Sequence, residues 1–98
     1  MRIVQYIDRT PIDYEKLTIT SGAVVQLTKA LREDANAVYV TFEDANIRYR
    51  IDGGDPDAND GHVVYEAQNI YFANPQAIRQ LRMIALTDDV TAIVTYYK

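Results

Sequence analysis

A catalytic reading of this chain has little to start from: His62 is the only histidine, Ser21 the only serine, and cysteine is absent. A serine hydrolase would need those two brought together with a third group to orient the imidazole, and Ser21 lacks the Gly-x-Ser-x-Gly elbow that exposes such a nucleophile. Carboxylates are better concentrated. The run Asp52-Gly53-Gly54-Asp55-Pro56-Asp57-Ala58-Asn59-Asp60-Gly61 holds four of them within nine positions. Asp55, Asp57 and Asn59 alternate as oxygen ligands do in a calcium loop, with Glu66 where the closing bidentate ligand would fall. The pattern is imperfect, because Asp60 occupies the position where such a loop turns on glycine, and a strand pattern rather than a helix follows. The simpler reading is a surface turn. Gly53 and Gly54 supply positive backbone angles, Pro56 stiffens the bend, Gly61 ends it, and the Asp side chains hydrogen-bond their own backbone. Two carboxylates in a loop also lack the walled cleft that glycoside hydrolysis requires. With no phosphate loop, dinucleotide fingerprint or zinc spacing, the expectation is a protein that is not an enzyme and that carries no cofactor or metal.

The elements that would position these groups read as strands. Apolar and polar residues alternate with period two in four places, and sustained helical periodicity is absent. Val38, Val40 and Phe42 fall on one face of 37–44, with Tyr39, Thr41 and Glu43 on the other. Ile47, Tyr49 and Ile51 alternate likewise with Arg48, Arg50 and Asp52. A two-residue Ala45-Asn46 loop between these segments predicts a hairpin with Phe42 opposite Tyr49, Val40 opposite Ile51, and Glu43 meeting Arg48 outside. A second predicted hairpin joins 80–87 to 90–97 through Asp88-Asp89, placing Met83 opposite Val94, Ile84 opposite Ile93 and Ala85 opposite Ala92. Residues 2–8, 17–20, 23–28, 62–65 and 69–73 read as shorter strands. Asn74-Pro75 fits the start of a short helical turn, and Thr28 fits another. About seven strands in 98 residues, with one or two short helical turns, predict an all-β immunoglobulin-like β-sandwich forming a single domain over residues 1–98.

Composition limits the partners. A net charge of −4 and a pI near 4.7 oppose a phosphate backbone, so nucleic acid is not expected. Asp8 interrupts the N-terminal apolar residues too early for a signal peptide, and no apolar run is long enough to span a bilayer, so no membrane partner is expected and synthesis is placed in a cytoplasm. Aromatic content is almost entirely tyrosine, eight Tyr against two Phe and no Trp, which suits core margins and contact surfaces. In the predicted first hairpin, Arg48 and Arg50 share an outer face with Tyr39 and Thr41, making a candidate interaction surface. Cross-strand pairing of the arginines with Glu43 and Asp52 is the alternative reading of the same residues. Tyr96 and Tyr97 must point to opposite faces, one topping the core while the other, assigned to Tyr97, widens the patch.

The run Ile47-Arg48-Tyr49-Arg50-Ile51-Asp52-Gly53-Gly54-Asp55-Pro56-Asp57-Ala58, then Gly61-His62 and the closing Ile93-Val94-Thr95-Tyr96-Tyr97, resembles small virion proteins of tailed bacteriophages and prophages. The resemblance extends from about Leu27 onward. It departs at Gly54, where a small hydroxyl residue is common, and at Asp57, where Thr is common. The Tyr49-x-x-Asp52-Gly53-x-x-Pro56 pattern is also similar to the immunoglobulin-like, chitobiase C-terminal-like module appended to chitinases and hexosaminidases. The first resemblance implies a structural protein of the head, the head-to-tail region or the tail. Such a protein would act as a homo-oligomer or with other virion and capsid proteins, and its location would be the virion. The second implies an accessory module that binds carbohydrate or protein.

Overall fold

The structure is a computed structural model and describes residues 9–98; the strand expected over residues 2–8 lies outside the described residues. Eight strands and two short helices follow in the order β1 (Pro11–Ile19), β2 (Val25–Gln26), α1 (Lys29–Arg32), β3 (Ala37–Glu43), β4 (Ile47–Arg50), β5 (His62–Val64), β6 (Asn69–Phe72), α2 (Pro75–Gln80), β7 (Arg82–Ala85) and β8 (Val90–Tyr97). They form two four-stranded antiparallel sheets, β1-β8-β3-β6 and β2-β7-β4-β5. The inner faces close on one core built around Phe42, Ile47, Ile78, Leu81, Met83 and Tyr96. Burying an aliphatic or aromatic side chain of that size contributes about 1.5–3 kcal/mol.

Strand pairing is nested: β1 with β8, β2 with β7, β3 with β6, and β4 with β5. Two further pairings, β8 with β3 and β7 with β4, close the sheets. This is the strand order of a jelly roll, in which the folded-over chain wraps into two facing sheets. The first two strands of an immunoglobulin domain are neighbours in one sheet, whereas here β1 and β2 belong to different sheets. The expected β-sandwich therefore stands, with a different strand order from the one expected.

The difference traces to the two predicted hairpins. Both pairs of segments are strands, but β3 and β4 lie in different sheets, as do β7 and β8. Each connection is an arch across the core rather than a turn within a sheet. Alternation of apolar residues is the same in either case, because an arch also needs one apolar face on each arm. Glu43 consequently stands opposite Thr91, and Arg48 lies between Val63 and Ile84. Met83 pairs with Tyr49 and Val25, and Val94 pairs with Glu15 and Val40.

Local chemistry supports the arches. Asp44 adopts a left-handed backbone with φ 89°, a conformation that Asp tolerates better than most side chains. Its carboxylate accepts from the Thr91 hydroxyl at 3.2 Å, and the Asn46 carbonyl accepts from Leu86 N–H at 3.3 Å. The two arches thus lie side by side and hold each other. The expected helical turns are present: Asn74 caps α2 by accepting from Gln76 and Ala77 N–H, with Pro75 at the first helical position, and α1 begins just after Thr28. Residues 17–19 are the end of β1, whose earlier half from Pro11 was not anticipated.

Candidate interaction surface

Alternation along the first sheet sends one set of side chains into the core and the other outward. In β8, Val90, Ala92, Val94 and Tyr96 are buried, and Thr91, Ile93, Thr95 and Tyr97 are half-buried. In β3, Tyr39, Thr41 and Glu43 alternate outward from Val38, Val40 and Phe42. The register aligns the outward residues into rows. Tyr14 stands opposite Thr95, Thr95 opposite Tyr39, and Tyr39 opposite Tyr71, so a single row crosses all four strands. The next row is Lys16, Ile93, Thr41 and Asn69. Tyr97 lies on the other side of the tyrosine row, opposite Ala37.

This face is accessible and almost free of charge. Tyr14 is 59% exposed and Tyr71 39%. Of the ten basic and fourteen acidic residues of the chain, the outward rows hold Lys16 and Glu43, on the edge strand β1 and at the end of β3, and the Asp44 carboxylate joins them at the rim through Thr91. The Tyr97 phenol is pushed up from its ordinary range by burial, with smaller contributions from Tyr39 and Tyr71. Tyr96 turns the other way and is fully buried, its hydroxyl donating to Glu15. That acceptor matters because a buried phenolic O–H without a partner is costly.

Tyr39, Thr41 and Tyr97 are therefore brought together, as expected. Arg48 and Arg50 are not with them. Because β3 and β4 are arms of an arch, the arginines emerge on the outer face of the second sheet, on the opposite side of the sandwich. There they hold down the acidic loop. Arg50 donates to Asp52 at 2.6 and 3.0 Å and reaches Asp60 at 3.3 Å. Arg82, opposite Arg50 in the register, donates to Asp55 at 2.5 Å. Arg48 donates to the Gly61 carbonyl at 2.7 Å. The Arg50 hydrogen bond, followed by the Gly54 N–H, holds the Asp52 carboxyl down at about 2. Of the ion pairs considered for this face, Arg50 with Asp52 is made, but as a local contact two residues apart rather than across strands, whereas Glu43 lies in the other sheet from Arg48.

The turn residues have distinct tasks. Gly53 and Gly61 carry positive φ, 88° and 123°, but Gly54 does not, which corrects the expectation for it. Gly54 is small for another reason: a Cβ there would lie 2.5 Å from the Arg50 guanidinium carbon. Pro56 is buried and packs beside Gly61. The proposed calcium ligands are not gathered. Asp55 is paired with Arg82, Asp57 accepts from Asn59 N–H, and Glu66 lies by Asn46 at the far end of the β4–β5 pair. No group of three or more His, Cys, Asp or Glu side chains suited to a metal occurs among the described residues.

His62 opens β5 with its ring 5.3 Å from that of Tyr49. It borders an open depression of about 430 Å³ with Arg50, Ile51, Asp52, Asp60 and Gly61. The two carboxylates there are both engaged by Arg50, and Ser21 is bound instead to Asp89 and the Thr87 carbonyl. Tyr14 and Tyr71, absent from the sequence-based patch, complete the tyrosine row. Their signal was available in the outward series Tyr14, Lys16, Thr18 and in Tyr71 between Ile70 and Phe72, but it needed the pairing of β1, β8, β3 and β6 to acquire meaning. No protein-family model, curated protein or solved structure matches the chain.

Proposed function

We propose that this chain is a non-enzymatic structural component of a tailed-bacteriophage virion, of the head, the head-to-tail region or the tail, acting through protein contact on the outer face of the first sheet. The observation that carries the reading is the charge-poor row Tyr14, Thr95, Tyr39 and Tyr71 spread across four paired strands. Tyr is enriched and charge depleted at the centre of protein interfaces. Jelly rolls recur in viral capsid proteins, and the run from Ile47 to His62 resembles small virion proteins; both supports are analogies of fold and sequence. The engagement of Asp52 and Asp60, the carboxylates near His62, by Arg50 supports the non-enzymatic part of the reading. Peptide mass spectrometry of particles purified from the source host tests the reading, with the chain expected at a copy number comparable to capsid or tail subunits. Its absence from intact particles would remove the proposal.

A second reading is favoured by the same row. Tyrosine rings aligned in one outward row suit stacking against sugar rings, and jelly rolls also recur in lectins, so an accessory module that binds carbohydrate fits the face. Retention on insoluble chitin or cellulose, lost in Tyr39→Ala and Tyr71→Ala, would select it over the virion reading.

A further inference from the structure

The polar groups on the outer face of the first sheet share one property: nearly all are hydroxyls or amides. Tyr14, Tyr39, Tyr71, Thr41, Thr95 and Asn69 can each both donate and accept hydrogen bonds. A row of carboxylates cannot meet a copy of itself without unpaired acceptors, and a row of ammonium groups fails in the same way. A hydroxyl row can. At the rim, Lys16 is opposite in sign to Glu43 and to Asp44, whose carboxylate accepts from the outward Thr91 hydroxyl, so a second copy turned about a two-fold axis offers Lys16 acidic partners. From this we infer that the outer face of the first sheet docks on the same face of a second copy of this chain, as an isologous dimer with Ile93 and Thr95 near its centre. The inference rests on the reading of this face as the contact surface and names its occupant.

Area and field agree with it. Strands of nine, eight, seven and four residues, at ~4.8 Å spacing and ~3.4 Å rise, present roughly 450 Å². Two such faces cover roughly 900 Å² before the projecting Tyr side chains are counted, close to the ~1,000 Å² at which specific interfaces begin. Each copy carries −4, so association is opposed unless like charges stay apart. The acidic loop is on the opposite outer face of a molecule 19 Å through its shortest axis, about twice the Debye length of ~8 Å at physiological salt.

Sedimentation equilibrium of the full chain tests the inference. The wild type is expected at twice its 11.2 kDa chain mass. Ile93→Glu, which places two like charges together at the centre, is expected as a monomer with association weakened at least tenfold. Ile93→Lys alone behaves likewise, and an equimolar mixture of the two variants returns to dimer mass. That recovery cannot come from misfolded chains. Gln76→Glu, which adds the same charge on α2, stays dimeric. A monomeric wild type at about 0.5 mM, a concentration at which any dimer of useful affinity would be populated, overturns the inference. So does a dimer indifferent to Ile93→Glu. If the wild type is monomeric but Tyr39→Glu is lost from purified particles, self-docking falls while the contact-face reading stands. If Tyr39→Glu enters particles as the wild type does, that reading falls as well.

Discussion

Glu15 accepts a hydrogen bond from the Tyr96 hydroxyl across 81 positions of sequence, and the same carboxylate accepts from the Thr28 hydroxyl at 2.6 Å. One acidic side chain on the edge strand β1 thereby ties that strand to the segment leading into α1 and to the buried end of β8. A carboxylate turned toward the interior at a sheet edge also discourages edge-to-edge pairing with other chains.

Removing that acceptor should be expensive. Glu15→Ala leaves the Tyr96 O–H buried without a partner, for which a loss of about 1–3 kcal/mol is expected in urea unfolding. Tyr96→Phe should cost less, because it removes the donor as well. The double variant should lose less than the sum of the single variants, and strict additivity would show that the two side chains do not interact.

The strand order makes a covalent prediction. The chain has no cysteine, and Glu43 and Thr91 are directly opposed in the β3–β8 pair, within disulfide reach. Glu43→Cys with Thr91→Cys should oxidise to an intramolecular disulfide. Glu43→Cys with Arg48→Cys, the pair that a β3–β4 hairpin would oppose, should remain reduced. Thiol counts after oxidation read both, and the reverse pattern would restore the hairpin.

The two loop glycines should fail differently. Gly61→Ala forces a side chain onto a φ of 123°, with its Cβ 3.0 Å from the Tyr49 carbonyl oxygen, and a loss of more than about 1 kcal/mol is expected. Gly54→Ala meets a movable group, the Arg50 guanidinium. It should lose less than Gly61→Ala and only through the weakened Arg50–Asp52 pair, with the Asp52 carboxyl, followed by carbon NMR, rising from about 2 toward 3.8. An unmoved Asp52 would mean that Arg50 does not depend on the space at Gly54.

Stability should fall at both ends of the pH scale. Asp52 is lowered from 3.8 to about 2 in the fold, so its contribution is complete above 3.8 and is lost as pH drops through about 2. Asp52→Asn should flatten that acid limb in urea midpoints. Tyr96 is raised above its ordinary 10.0 by burial and then by Glu15, so its contribution is complete below pH 10.0 and is lost as pH climbs further. Tyr96→Phe should flatten the alkaline limb. A variant that keeps the wild-type slope would assign that limb to other groups.

Which residues face inward was legible from the sequence; which strands are neighbours was not. Val38, Val40 and Phe42 fill the core as their spacing implies, and Asn74-Pro75 starts a helix as its cap chemistry implies. The hairpins failed because Phe42 and Tyr49 can satisfy the same alternation side by side or face to face. Only long-range pairing, β1 with β8 above all, decides between them. The candidate surface followed the same rule. Tyr39 and Tyr97 were readable because one strand carries each, whereas excluding Arg48 and Arg50 and including Tyr14 and Tyr71 required the sheet.

Pairing of β1 with β8 has a kinetic meaning. A nascent chain leaving the ribosome presents Tyr14 and Leu17 long before Thr95 and Ala92, the residues they will stand opposite, have been translated. Neither β1 nor β3 gains its shared neighbour until β8 emerges. Closing contacts so far apart in sequence is slow, of order milliseconds to seconds for β proteins of such topology. Until then β3 has only β6 beside it and β1 has no partner strand among the described residues, so it is the eight-residue β8 that joins the two halves of the first sheet.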